Sequence, residues 1–374
     1  MRYLHHKTVL IISPQPWDHI QISKHHYALE LAQSGNNVFF LGPPKKNDDH
    51  ARGWISIRKS KEHDNVRIID YRPYFPMRVR FHLRLLYRLF MYMQIKLLLK
   101  AIKESIDVVW SFEFNLYPDL SAFAASRVIF HPVDPLTNAY QVEVAKDADI
   151  IISVSQKILN NFDSADYSGK EKLLVNHGVA KEFVQLASTD EGCRANDVLK
   201  VGYVGNLDRK IIDWGTIKNI VVELPRVEFH FWGPYSVSNK NVEVINRYGN
   251  VVLHGQTPKK SLAIEMSKID CFILLYLEDF SESDLSNSHK ILEYFSTGSV
   301  VFSVPIEEYR EQERLMVITR SVTEPDKTLD FKKCIARITE LNSESLMLSR
   351  KALALKNTYA VQIGKIDQVL AASW

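Results

Sequence analysis

The chain has 374 residues, 46% of them hydrophobic and 24% charged, with a formal net charge of +3. That length exceeds one ordinary core, so two domains of roughly 150 to 200 residues are expected, and the charge is too small to imply a polyanionic partner. Three cysteines, Cys193, Cys271 and Cys334, stand far apart with no CxxC spacing, which excludes a disulfide framework and a zinc site and fits a reducing cytoplasm.

The opening residues carry one short apolar run, TVLIIS (8 to 13), with histidines before it and proline after it. It reads as a buried strand rather than a signal peptide, so no secretion is expected. Further strands are predicted at 37 to 42, 66 to 71, 107 to 112, 127 to 132 and 149 to 155, alternating with helical patterns. The loop after the first strand, SPQPWDHIQIS, has no glycine. A GxGxxG turn is therefore missing, and an ordinary NAD-dependent dehydrogenase is not expected.

Residues 72 to 103 hold eight Lys or Arg and no Asp or Glu among long apolar side chains. Arg84, Arg88 and Lys96 interrupt its most apolar stretch, whereas a membrane-spanning helix needs about 20 predominantly apolar residues. Arg80, Arg84 and Arg88 fall on one helical face and Lys96, Lys100 and Lys103 on another, about 120° away, which predicts a bend or two helices. Apolar surface beside cations suits an anionic membrane surface. Phe81, Tyr87 and Tyr92 among the cations also suit a nucleic acid, but no recognised module accompanies them, and none is expected as a partner.

Residues 181 to 200 lose the apolar pattern, which places a hinge near 185 to 198. Beyond it, strands are predicted at 200 to 205, 228 to 233, 250 to 255, 270 to 276 and 299 to 304. The expected division is 1 to 188, 196 to 352, and a helix at 353 to 374 that packs back across. Alternating strands and helices in both halves predict two parallel sheets, in tandem Rossmann-like domains with a cleft between them. Ligands then belong at the carboxyl ends of the strands.

NSHKILEYFSTGSVVFSVP (287 to 305) predicts a helix over 288 to 297, with Ser286, Asn287 or Ser288 as cap and Gly298 at its end. Ile291, Leu292 and Phe295 make its apolar face, and Lys290 and Glu293 are neighbours on the other side. As a solvated pair they contribute only about 0.2–0.5 kcal/mol. As a binding pair, the carboxylate accepts from two ribose hydroxyls while the lysine and the helix N-terminus meet a diphosphate.

This stretch resembles the nucleotide-binding helix and following strand of GT-B glycosyltransferases, in particular the C-terminal domain of glycosyltransferase family 4. VGYVGNLDRKIIDWGTI (201 to 217), LPRVEFHFWGP (224 to 234) and NVVLHGQTPKKSL (250 to 262) are similar to other parts of that domain. HHYALELAQSGNNVFFLGP (25 to 43), ISVSQKILNNF and LLVNHGVAKEFV are similar to parts of the N-terminal one. The resemblance implies a GT-B fold and a nucleotide-sugar donor, UDP- or GDP-linked, held by the second domain. It further implies a glycan or lipid-linked glycan acceptor held by the first, and no cofactor or metal. Gly205 and Asn206 would let the backbone approach the phosphates, Arg209 or Lys210 would neutralise them, and Gly255, Gln256 and Thr257 would border the base. Tyr276, Ser288, His289, Lys290 and Glu293 complete the implied donor site.

The family's acid eight residues before the ribose glutamate is replaced by Leu285, with Glu282 and Asp284 nearest, so retention of stereochemistry does not follow. Inverting transfer needs a base on the first domain. Asp134, in FHPVDPL just after a strand, stands first, and Asp18 and His19 compete with it. Ile20 and Gln21 replace a glycine pair common among relatives. The function implied is transfer of a sugar in cell-surface polysaccharide synthesis, with the protein held at the cytoplasmic membrane face by Arg80, Arg84, Arg88, Lys96 and Lys100. The rivals are a nucleotide-sugar epimerase or hydrolase on the same fold, and a non-catalytic membrane- or glycan-binding protein.

Overall fold

The computed structural model describes residues 3–18, 21–45, 52–189, 198–277 and 288–372. The chain forms two compact units, Met1–Asn176 with Tyr359–Trp374, and His177–Thr358. The division falls earlier than residue 188, because the helix Lys181–Ala187 sinks Phe183 into the core of the second unit. Most of the expected hinge, residues 190–197, lies outside the described residues, as does Cys193. Residues 353–358 also belong to the second unit.

The first unit is built on eight strands: β1 (Thr8–Ile12), β2 (Asn37–Leu41), β3 (Ile55–Lys59), β4 (Val66–Tyr71), β5 (Val108–Ser111), β6 (Arg127–Phe130), β7 (Ile150–Ser153) and β8 (Glu171–Leu174). Their order is β3-β4-β2-β1-β5-β6-β7-β8, and every pairing is parallel except β3 with β4. Val9 and Ile11 of β1 enter one apolar layer and Leu10 and Ile12 the other, as the two-residue period of a strand covered on both faces requires. The helix Ser23–Gln33 follows β1 and packs against the last helix, Tyr359–Ala372, where His26 and Tyr359 stack at 5.1 Å.

The basic segment is broken as its charge pattern predicts. Val79–His82 and Arg84–Ile102 are separate helices, with Leu83 between them at φ −134°, ψ 73°. The longer one buries Tyr87, Met91, Ile95, Leu98 and Ile102 against the sheet, a stripe at spacings of three and four.

The second unit holds β9 (Lys200–Val204), β10 (Glu228–Trp232), β11 (Val251–Gly255), β12 (Cys271–Leu274), β13 (Val300–Ser303) and β14 (Val317–Ile318). The sheet runs β11-β10-β9-β12-β13-β14, all parallel. Strand order therefore reverses between β9 and β12, and such a switch point opens a crevice beyond the carboxyl ends of the strands. Helix His289–Ser296, between β12 and β13, lies beside that point, and Tyr294 docks it by stacking on Phe272 at 4.1 Å.

Candidate functional site

At the end of β9 the chain turns at Gly205, whose N–H donates to the Trp232 carbonyl at 2.9 Å. A Cβ on Gly233, just after β10, would stand 1.9 Å from the Gly205 carbonyl oxygen, so only glycine lets these two loops meet. A Cβ on Gly205 itself would stand 2.5 Å from the Lys290 Nζ. Glycine there leaves room for the lysine.

Lys290 and Glu293 do not form the solvated pair that their spacing permits. Both are 7% exposed, and every residue from Lys290 to Ser296 is buried. The Lys290 Nζ donates to the Tyr203 hydroxyl at 3.1 Å and the Tyr276 hydroxyl at 3.2 Å, and lies 4.7 Å from the Tyr203 ring centre. Burial opposes its charge, but the two tyrosine oxygens outweigh burial and hold its pKa above the usual lysine value. Among the described residues no carboxylate pairs with it. Ser288 occupies the cap position without a side-chain capping bond, so its hydroxyl does not close the helix N-terminus. The other two candidate caps, Ser286 and Asn287, lie outside the described residues with Leu285, Glu282 and Asp284.

Glu293 turns away toward the loop after β11, where its Oε1 accepts from the Lys259 Nζ at 2.9 Å. Lys259 begins the helix Lys259–Met266, which Pro258 separates from Gly255, the last residue of β11, and the following Gln256 and Thr257. The rings of Trp232 and His254 stack at 4.5 Å on that side, and His254 shares a 3.0 Å hydrogen bond with His230. Arg209 and Lys210 do not join this group. They are exposed and line a separate cavity of about 450 Å³ with Asp208, Trp214, Ser236 and Asn239, while the exposed Asn206 spends its carbonyl on the Asp208 N–H. His289 is exposed, 5.8 Å from the His177 ring.

In the first unit, Asp134 is exposed on the loop after β6. Asp18 is bound to Arg58 at 2.6 Å, and His19 lies outside the described residues. Lys24, only 3% exposed at the start of the helix after β1, has its pKa lowered by burial against the opposing pull of Asp134 and Glu113. Glu113, 3% exposed beyond β5, accepts from the Asn115 and Leu116 N–H groups, and burial pushes its pKa up. Arg80 lies over the Phe81 ring, Arg84 over Tyr140 and Lys96 over Tyr92, Arg88 is paired with Asp119, and Lys100 is exposed. Among the described residues no helix is long and apolar enough to cross a membrane.

No protein-family model matches the chain, and no curated protein matches it by sequence. Solved structures do match along nearly its whole length. A trehalose-6-phosphate protein from E. coli, bound with UDP-2-fluoro glucose, superposes with a TM-score of 0.67 at 13% identity, over 97% of this chain and 98% of that one. Anabaena HepE in complex with UDP and glucose gives 0.65 at 12%, over 98% and 100%. Sucrose-phosphate synthase from Thermosynechococcus elongatus gives 0.63 at 13%, over 98% and 100%. The chain has the GT-B fold.

Within the second GT-B unit, the structure thus brings Gly205, Tyr276, Lys290 and the helix N-terminus together, and beside them Glu293 and the end of β11. Sequence reasoning missed Tyr203, Lys259, Lys24 and Glu113. Tyr203 lies two residues before Gly205 in an apolar strand and looks like core, and Lys259 pairs across 34 positions. Glu113 did carry a signal, an acid directly after the DVVWSF strand.

Proposed function

We propose that the chain is a glycosyltransferase that takes a sugar from a UDP- or GDP-linked donor and adds it to a glycan or lipid-linked glycan in cell-surface polysaccharide synthesis. Lys290 carries this reading: a buried, protonated amine, beside a helix N-terminus that its cap side chain leaves open, is a seat for a diphosphate. Glu293 is assigned to the ribose, with Lys259 fixing one of its oxygens. UDP in two of the similar structures supports a uridine donor.

In the transfer, the bond from the anomeric carbon to the diphosphate oxygen breaks and its electron pair leaves with the diphosphate, toward Lys290. The acceptor oxygen bonds to that carbon and gives its proton to a base, for which we assign Asp134. Exposed Phe81, Leu85 and Leu89, close in sequence to the cations Arg80, Arg84 and Arg88 and followed by Lys96 and Lys100, support attachment to the cytoplasmic face of a membrane.

Calorimetric titration with UDP, GDP and their nucleosides tests the reading. One diphosphate should bind, and Glu293→Ala should weaken it by about 1.5–3 kcal/mol, the usual worth of a hydrogen bond to a charged group. Asp134→Asn should keep that affinity and lose turnover. If no diphosphate nucleotide binds, the chain is a non-catalytic binding protein, and nucleotide release without sugar transfer would make it a hydrolase.

A further inference from the structure

The first unit has a cavity of about 660 Å³ at the carboxyl ends of β2, β4 and β5. Lys45, Arg52, Arg72, Arg78 and Arg80 line it, and among the described residues Glu113 is its single lining carboxylate. Lys45 is paired with Asp70 at 3.2 Å, but among the described residues Arg52, Arg78 and Arg80 form no ion pair. Three guanidinium groups facing one cavity repel one another while it is empty, and a multiply charged anion relieves that repulsion. Their planar forks match phosphate oxygens, and a single carboxylate would leave most of their charge unanswered. Five prolines in the wall fix the backbone around the cations before any ligand arrives.

The rim adds a second requirement. Phe81 lines the cavity and is 68% exposed, and the exposed apolar side chains of Leu83, Leu85 and Leu89 follow it in sequence. A ligand whose anionic group fills the cavity therefore has apolar surface for a chain attached to it.

We propose that this cavity seats the phosphate or diphosphate of the acceptor, the group that joins its sugar to a lipid chain. The assignment rests on the glycosyl-transfer reading for the word acceptor, and on the cavity alone for the anion.

Inorganic pyrophosphate is titrated into the full chain carrying Lys290→Met, which removes the other diphosphate seat. Binding should persist there, and adding Arg78→Gln with Arg80→Gln should weaken it at least tenfold, with Arg80→Lys in place of Arg80→Gln recovering part of the loss. Geranyl diphosphate should bind the Lys290→Met chain at least tenfold more tightly than pyrophosphate. If Lys290→Met alone abolishes pyrophosphate binding, or the arginine changes leave it within twofold, the cavity is not an anion site. A hexose phosphate that binds more tightly than geranyl diphosphate would overturn the lipid assignment. A wild-type chain that binds no nucleotide, yet loses pyrophosphate with the two arginines, would sink the transferase reading and leave the anion site standing.

Discussion

Single buried charges are the most informative residues of this chain, because an unpaired charge inside a protein is costly unless a partner or ligand answers it. Among the described residues Lys290 is answered by tyrosine oxygens alone and Lys24 is disfavoured by burial, whereas the Lys327–Asp213 pair, 3.1 Å apart, is satisfied within the fold. Glu113 yields a stability prediction whose sign follows from its raised pKa. A carboxyl whose pKa is higher folded than unfolded favours folding below the unfolded value, and that contribution disappears as pH rises through the folded one. Glu113→Gln removes the ionisation, and its carbonyl oxygen is still able to accept from the Asn115 and Leu116 N–H groups. The melting temperature of the variant should exceed that of the wild type at pH 8, where the buried carboxylate of the wild type must be charged. The gap should narrow toward pH 5. A gap that widens on acidification would mean that Arg80 and its neighbours hold the carboxylate charged in the folded state.

Strands were legible in the sequence as apolar runs, and eleven such runs stand close to where they were read, β11 among them although it lies at a sheet edge. The three that escaped are β3, β8 and β14, all at sheet edges. ISIRK and EKLL mix charged with apolar residues because one side meets water, and VI is too short to register. The broken basic segment was legible from its charge pattern, but the fate of each cation was not. Arg88 is committed to Asp119, which leaves Arg84, Lys96 and Lys100 as the exposed cations of helix Arg84–Ile102 without an ion pair among the described residues. Replacing those three with Gln should lower the partition coefficient onto anionic vesicles by roughly two orders of magnitude, at about 1 kcal/mol per cation. Arg88→Gln alone should change it much less. Cosedimentation across anionic and neutral vesicles reads both effects, and a wild type that never pellets with anionic vesicles would mark this helix as an ordinary crossover element.

Across the whole molecule, the sequence could indicate which loops matter but not how they converge. The Lys290 and Glu293 spacing was visible, while their destinations depend on Tyr203, Tyr276 and Lys259, 87, 14 and 34 positions away. The basic cavity draws on four separate loops, those after β1, β2, β4 and β5, and no local pattern announces their convergence. Because each unit has its own core, a ligand of one should stabilise that one. A nucleotide at about 100 times its Kd stabilises the unit that binds it by about 2.7 kcal/mol, provided the unfolded chain does not bind it. Amides in the middle of β9 and β12, whose flanking residues belong to the buried core, open only when that unit unfolds, so UDP should slow their hydrogen exchange roughly a hundredfold. Those of β1 and β5 should change by less than about threefold. Glu293→Ala should need proportionally more UDP for the same protection, which separates occupancy of this site from a general effect of the nucleotide. Equal slowing in both units would show that they unfold together or that UDP binds elsewhere, and slowing confined to β1 and β5 would place the nucleotide in the first unit.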